Sequence, residues 1–141
     1  MKYYIEAKKK MDMENIEFTG GVSANKIEKA MKKLSLAFPK SYIAFLSDFG
    51  AGDIGGEIIF GITNIEDENV VKITQMEHEY KMPKSMVVIN YNEAHNSLYC
   101  LDTNQMKEGE CPVVEVFDDY QRIDFIADSF GKFLYDYVCE E

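Results

Sequence analysis

Apolar residues recur at spacings of three and four through much of this chain, and run together or alternate in a central block. Residues 3–14 read as an amphipathic helix. After the break "TGGV" (19–22), Asn25 is placed to cap a second helix, with Glu28 completing a capping box. Ile27, Ala30, Met31 and Leu34 then share one face, and Lys26, Lys29, Lys32 and Lys33 lie mostly outside it. In "FPKSYIAFLSDFG", Pro39 suits a first helical turn, while Tyr42, Ile43, Phe45, Leu46 and Phe49 supply the apolar face. Gly50 ends that helix. A further helix is predicted over about 67–80, closed by Pro83.

The strands follow a different rhythm. "EIIFGI" (57–62) and "SMVVINY" (85–91) are apolar runs, the second suited to a central strand buried on both faces. "NEAHN" has turn chemistry and leads into "SLYCLD" (97–102). In "PVVEVF" (112–117), Val114 and Val116 alternate with Glu115. The short links predict an antiparallel meander of three strands. A last helix is predicted over about 122–138, with a wide stripe of Ile123, Ile126, Ala127, Phe130, Phe133, Leu134, Tyr137 and Val138. Helices before and after a run of strands define an α+β class: a mainly antiparallel central sheet flanked by helices. With no repeat and no linker, residues 20–141 read as one domain and residues 1–19 as an N-terminal extension or helix.

Residues 50–55, "GAGDIG", match the G-x-G-x-x-G string of dinucleotide-binding folds. That string carries meaning only between a preceding strand and a following helix, with an acidic residue about 20 positions on. Here a helix precedes, a strand follows, and "VVKITQ" occupies the later position. The glycines are therefore expected to serve backbone geometry, through positive φ and a close helix-to-strand turn.

Charge changes the picture more than composition does. At 141 residues and 46% hydrophobic, the chain can bury one core, and the net charge is −10. Residues 1–40 hold nine lysines against five acids, while residues 41–141 hold six basic and twenty acidic side chains. Such an acidic body repels phosphate backbones and excludes direct nucleic-acid binding outside the N-terminal part. It serves solubility, or attracts a basic protein partner. No apolar run reaches the ~18 residues of a membrane helix, and the charged N-terminus does not resemble an export signal, so a cytoplasmic protein is expected. Cys100, Cys111 and Cys139 form an odd set without a C-x-x-C pair, and reduced thiols are expected.

Catalytic chemistry is hard to assemble from these residues. His78 lies between two glutamates and His95 in a turn, and both read as surface side chains. The acidic pairs at 66–69 and 118–119 lack calcium-loop spacing and read as helix N-terminal and turn carboxylates. No catalytic, metal or cofactor set is identified. Tyr91, Tyr99 and Tyr120 stand among acids at strand ends or loops, a mixture that suits a protein-binding surface.

The order of motifs resembles the SUKH superfamily, which includes fungal cell-wall synthesis regulators and bacterial immunity proteins. The resemblance rests on "FPKSYIAFL" followed by "FGAGDIGG", then "FG" (60–61), Pro83 before a hydrophobic strand, "YCLD" (99–102), "CPVVEV" and "IADSFGKFL". It runs from about Gly20 to the C-terminus, with "GAG" where many members have Asn-Gly-Gly. It implies a sheet flanked by helices, no enzymatic activity, and for bacterial members the neutralisation of a toxin domain, often a nuclease. It supplies no fixed set of binding residues. From charge and position, Asp53 and Glu57 beside the glycine loop, and Glu93, Asp102, Asp118 and Asp119 at strand ends and loops, are the expected partner-binding residues. The expected partner is a basic toxin domain; nucleic acid, membrane and small-molecule substrate are not. A regulatory or scaffold module is the alternative.

Overall fold

The computed structural model describes residues 1–139. Its helices are α1 (Lys2–Met13), α2 (Ala24–Leu34), α3 (Lys40–Asp48), α4 (Val70–Glu79) and α5 (Phe130–Cys139). Strands β1 (Gly52–Ile54) and β2 (Glu57–Ile59) form a hairpin. Strands β3 (Met86–Asn92), β4 (Ser97–Asp102), β5 (Val113–Phe117) and β6 (Ile123–Ala127) form an antiparallel sheet in the order β3-β4-β5-β6. The α+β class holds, and β4 occupies the span expected after the "NEAHN" turn, residues 97–102. No helix among the described residues is long and apolar enough to cross a membrane.

Four local expectations are corrected. Strand β3, expected to be central, stands first in the sheet order, although Met86–Asn90 are buried. The segment read as the start of one long helix is the fourth strand, β6, and α5 begins only at Phe130. Ser129 starts that helix by accepting the Lys132 N–H at 3.0 Å. Helix α2 is capped by Ser23, whose hydroxyl accepts from the Lys26 N–H, so Asn25 lies inside the helix and exposed. The strand expected over 57–62 ends at Ile59, and the glycine loop itself supplies β1 as its partner.

The core forms where α3 and α5 meet. Phe130 packs edge-on against Tyr42 and Phe45, with ring centroids 5.0 and 5.4 Å away, and the Tyr42 hydroxyl donates to the Phe60 carbonyl at 2.7 Å. Aromatic pairs of this geometry contribute about 1 kcal/mol each beyond their burial. α1 belongs to the same core: Tyr4, Ala7 and Met11 are buried, and Tyr4 donates to Asp48 at 2.7 Å. On the sheet, Phe133 of α5 packs on Tyr99 of β4, which places α5 on one face. α4 lies against the other face, where Glu77 shares a cleft with Leu98 and Val116.

Candidate functional site

The glycine string builds a hairpin and a close crossing. Gly55 and Gly56 form the two-residue loop between paired Ile54 and Glu57, with φ of +60° and +95°. Two consecutive positive φ values match the hairpin turn whose twist suits its strands. The Asp53 carboxylate accepts the Gly56 N–H at 2.8 Å and fixes that turn. Gly50 has φ +79°, and a Cβ on Gly61 would stand 1.7 Å from the Gly50 carbonyl oxygen. The backbone crossing at this point therefore leaves no room for a side chain. These contacts account for the glycines without a bound phosphate.

Antiparallel order puts the β3–β4 and β5–β6 connections at the same end of the sheet. Glu93 stands on the first and Asp118 and Asp119 on the second, all exposed. Glu57 joins Glu93 in lining a cleft of about 400 Å³, together with Gly56, Phe60, Asn90 and Asn92. Asp119 shapes its own turn by accepting the Gln121 and Arg122 N–H groups at 3.0 and 3.3 Å. Asp118 borders a second cleft, of about 170 Å³, with Glu77, Tyr91 and Tyr120. Tyr120 donates to Glu77 at 2.8 Å, and burial, then that bond, pushes its phenol up to about 12.

Asp102 stands apart from this grouping. It lies at the opposite end of β4, only 8% exposed, where it accepts from the Asn104 N–H and the Gln105 side chain and so shapes the turn after the strand.

Below the acidic turns sits a carboxylate that alternation alone did not reveal as special. Glu115 of β5 is 4% exposed. Its Oε2 accepts from Ser97 Oγ at 2.5 Å and Asn92 Nδ2 at 3.3 Å, and lies 2.8 Å from His95 Nδ1. A buried carboxylate needs such partners to be tolerated. Tyr99, its neighbour across the β4–β5 ladder, has its phenol held above the usual range by burial first, then by the Glu115 charge, with Glu57 adding to it. Glu57, Tyr99, Asn92 and Glu115 therefore share one electrostatic environment running inward from the cleft. In the sequence, Glu115 looks like the polar half of an alternating strand. Its partners are about 20 residues away, and only the register joins them.

This Ser–His–Glu grouping is not arranged for nucleophilic catalysis. Ser97 donates to the carboxylate rather than to the imidazole, and both groups meet the same oxygen, so His95 is not positioned to take the serine proton. Among the described residues, no group of three or more His, Cys, Asp or Glu is placed to hold a metal ion. Away from the acidic end, α2 and α4 border a groove of about 310 Å³ that carries Lys26, Lys29, Lys33 and Lys72. Lys72 also pairs with Glu66, so acids border this groove as well.

The fold and the site define a single α+β domain whose four-stranded antiparallel sheet presents acidic turns at one end. The model of the family SUKH_5, described as SMI1-KNR4 cell-wall, matches residues 1–139, and the chain belongs to this family within the SUKH superfamily. Membership supports a function of the immunity or cell-wall regulator type.

Proposed function

We propose that this chain is a non-enzymatic immunity protein that binds a basic toxin domain, with a nuclease as the leading candidate, through the acidic end of its sheet. The observation that carries this reading is the gathering of Glu57, Glu93, Asp118 and Asp119 around the two turns at that end, beside Asp53 on the hairpin. A nuclease is basic where it grips phosphate, and an acidic surface with exposed Tyr91 complements it. The charge of −10 also steers a cationic partner toward the protein at low salt. Asp102 is left out of the proposed surface because of its burial at the far end. The family description names the cell wall, which favours a second reading: a module that binds a cellular regulator.

Co-expression with the toxin domain encoded next to this chain tests the proposal. Wild type rescues growth. A variant with Asp53, Asp118 and Asp119 changed to Asn, and Glu57 and Glu93 to Gln, keeps its circular dichroism. That variant binds at least about tenfold more weakly, as expected when charge pairs at an interface are lost. Equal protection by the variant at matched expression would refute the acidic-surface mechanism. If wild type itself neither binds nor protects, the regulatory reading replaces this one.

A further inference from the structure

The last strand of the sheet carries an interface that the acidic end does not explain. β6 pairs with β5 on one side, and among the described residues no strand pairs with its other side. It also exposes Ile123, Phe125 and Ile126 at 41, 64 and 37%. A free edge with apolar side chains is a template for another strand unless charge, proline or distortion blunts it. The β5–β6 register shifts at Ile126, so the regular part of the edge ends at Phe125. It begins at Arg122, whose carbonyl accepts the Phe117 N–H.

We propose that the occupant of this edge is a second copy of the chain, paired antiparallel about a two-fold axis at Ile123. Charge selects the register. Arg122 and Asp124 project from the same face, where Arg122 Nη2 lies 3.0 Å from Asp124 Oδ2. Centring the pair on Asp124 sets two carboxylates against each other, and centring it on Phe125 requires the distorted residue Ile126 to pair. Centring on Ile123 puts Arg122 of each copy opposite Asp124 of the other and Ile123 against Ile123. Directly opposed residues of opposite charge stabilise a ladder, and like charges weaken it.

Asp124 gains most from this arrangement. Within one copy it stands directly opposite Glu115 across the β5–β6 ladder, a carboxylate against a carboxylate. A second guanidinium offsets that repulsion. With the regular pairing confined to Arg122, Ile123 and Asp124 on each side, the interface is small compared with stable dimers, so a weak association is expected. The acidic turn residues lie outside this pairing.

Sedimentation equilibrium at about 150 mM salt, over protein concentrations from roughly 5 to 500 μM, follows the mass from 16.2 kDa toward twice that value. Ile123→Lys abolishes the shift, while Arg122→Asp and Asp124→Arg each weaken it at least about tenfold. The double variant Arg122→Asp/Asp124→Arg restores it, because the swapped charges face each other again. A monomer throughout the range overturns the proposal. So does a dimer that is indifferent to Ile123→Lys or that the double swap fails to restore.

Discussion

Gly55 and Gly61 constrain the chain for different reasons. Gly55 needs only a left-handed backbone, since nothing but the Tyr137 hydroxyl, at 3.5 Å, is near a Cβ placed there. Asparagine tolerates that conformation and a β-branched residue does not. Gly55→Asn should therefore change stability by less than about 0.5 kcal/mol, whereas Gly55→Val should cost about 1–2 kcal/mol. Gly61 needs space, and Gly61→Ala should cost at least about 2 kcal/mol because the Gly50 carbonyl must move. Urea unfolding of the three variants ranks them. A Gly55→Asn protein less stable than Gly61→Ala would contradict this assignment of roles.

The helices test the capping assignments. Asn69 accepts from the Val71 and Lys72 N–H groups and donates to the Thr63 carbonyl at 2.8 Å, holding the start of α4 to the preceding loop. Asn69→Ala should cost about 2 kcal/mol, at the upper end for caps, and Ser23→Ala about 1 kcal/mol. Asn25→Ala should be neutral or slightly stabilising, because alanine is the better residue inside a helix. Thermal melts of the three decide between Ser23 and Asn25 as the α2 cap. Most elements were legible from periodicity because their apolar faces are broad and regular. β6 was not: an edge strand with exposed apolar residues and a register shift spaces Ile123, Ile126 and Ala127 as a helix would. The acids at the turns were legible as charge. Glu115 was not, because its burial depends on Asn92, His95 and Ser97 folding over it.

Across the whole molecule, the fold keeps several acidic hydrogens in place. Burial, then the Asp102 charge, pushes the Cys111 thiol from an ordinary 9.0 up to about 12, and burial drives Cys100 higher still. Burial alone holds Tyr42 well above its ordinary 10.0, and Tyr4 is raised by burial and its bond to Asp48. Each group loses its proton more readily once the chain unfolds, so the folded state binds more protons above pH 9. Stability contributed this way is fully present below pH 9 and declines as pH rises toward 12. The melting temperature should be flat from about pH 7 to 8.5 and fall steeply beyond pH 9, with a shallower onset in Cys111→Ala. A profile of unchanged slope in that variant would remove the thiol from this account.

Placing Glu93, Asp118 and Asp119 on the connections between strands has an evolutionary consequence. The strands beneath are held by buried valines and by the helices packed on them, while these turn acids are exposed. Substitutions at exposed positions such as Glu93 and Asp118 usually change stability by less than about 0.5 kcal/mol, whereas Asp119 also holds its turn. On the function proposed above, a lineage can rewrite the surface it shows to its partner one residue at a time, without passing through an unfolded ancestor.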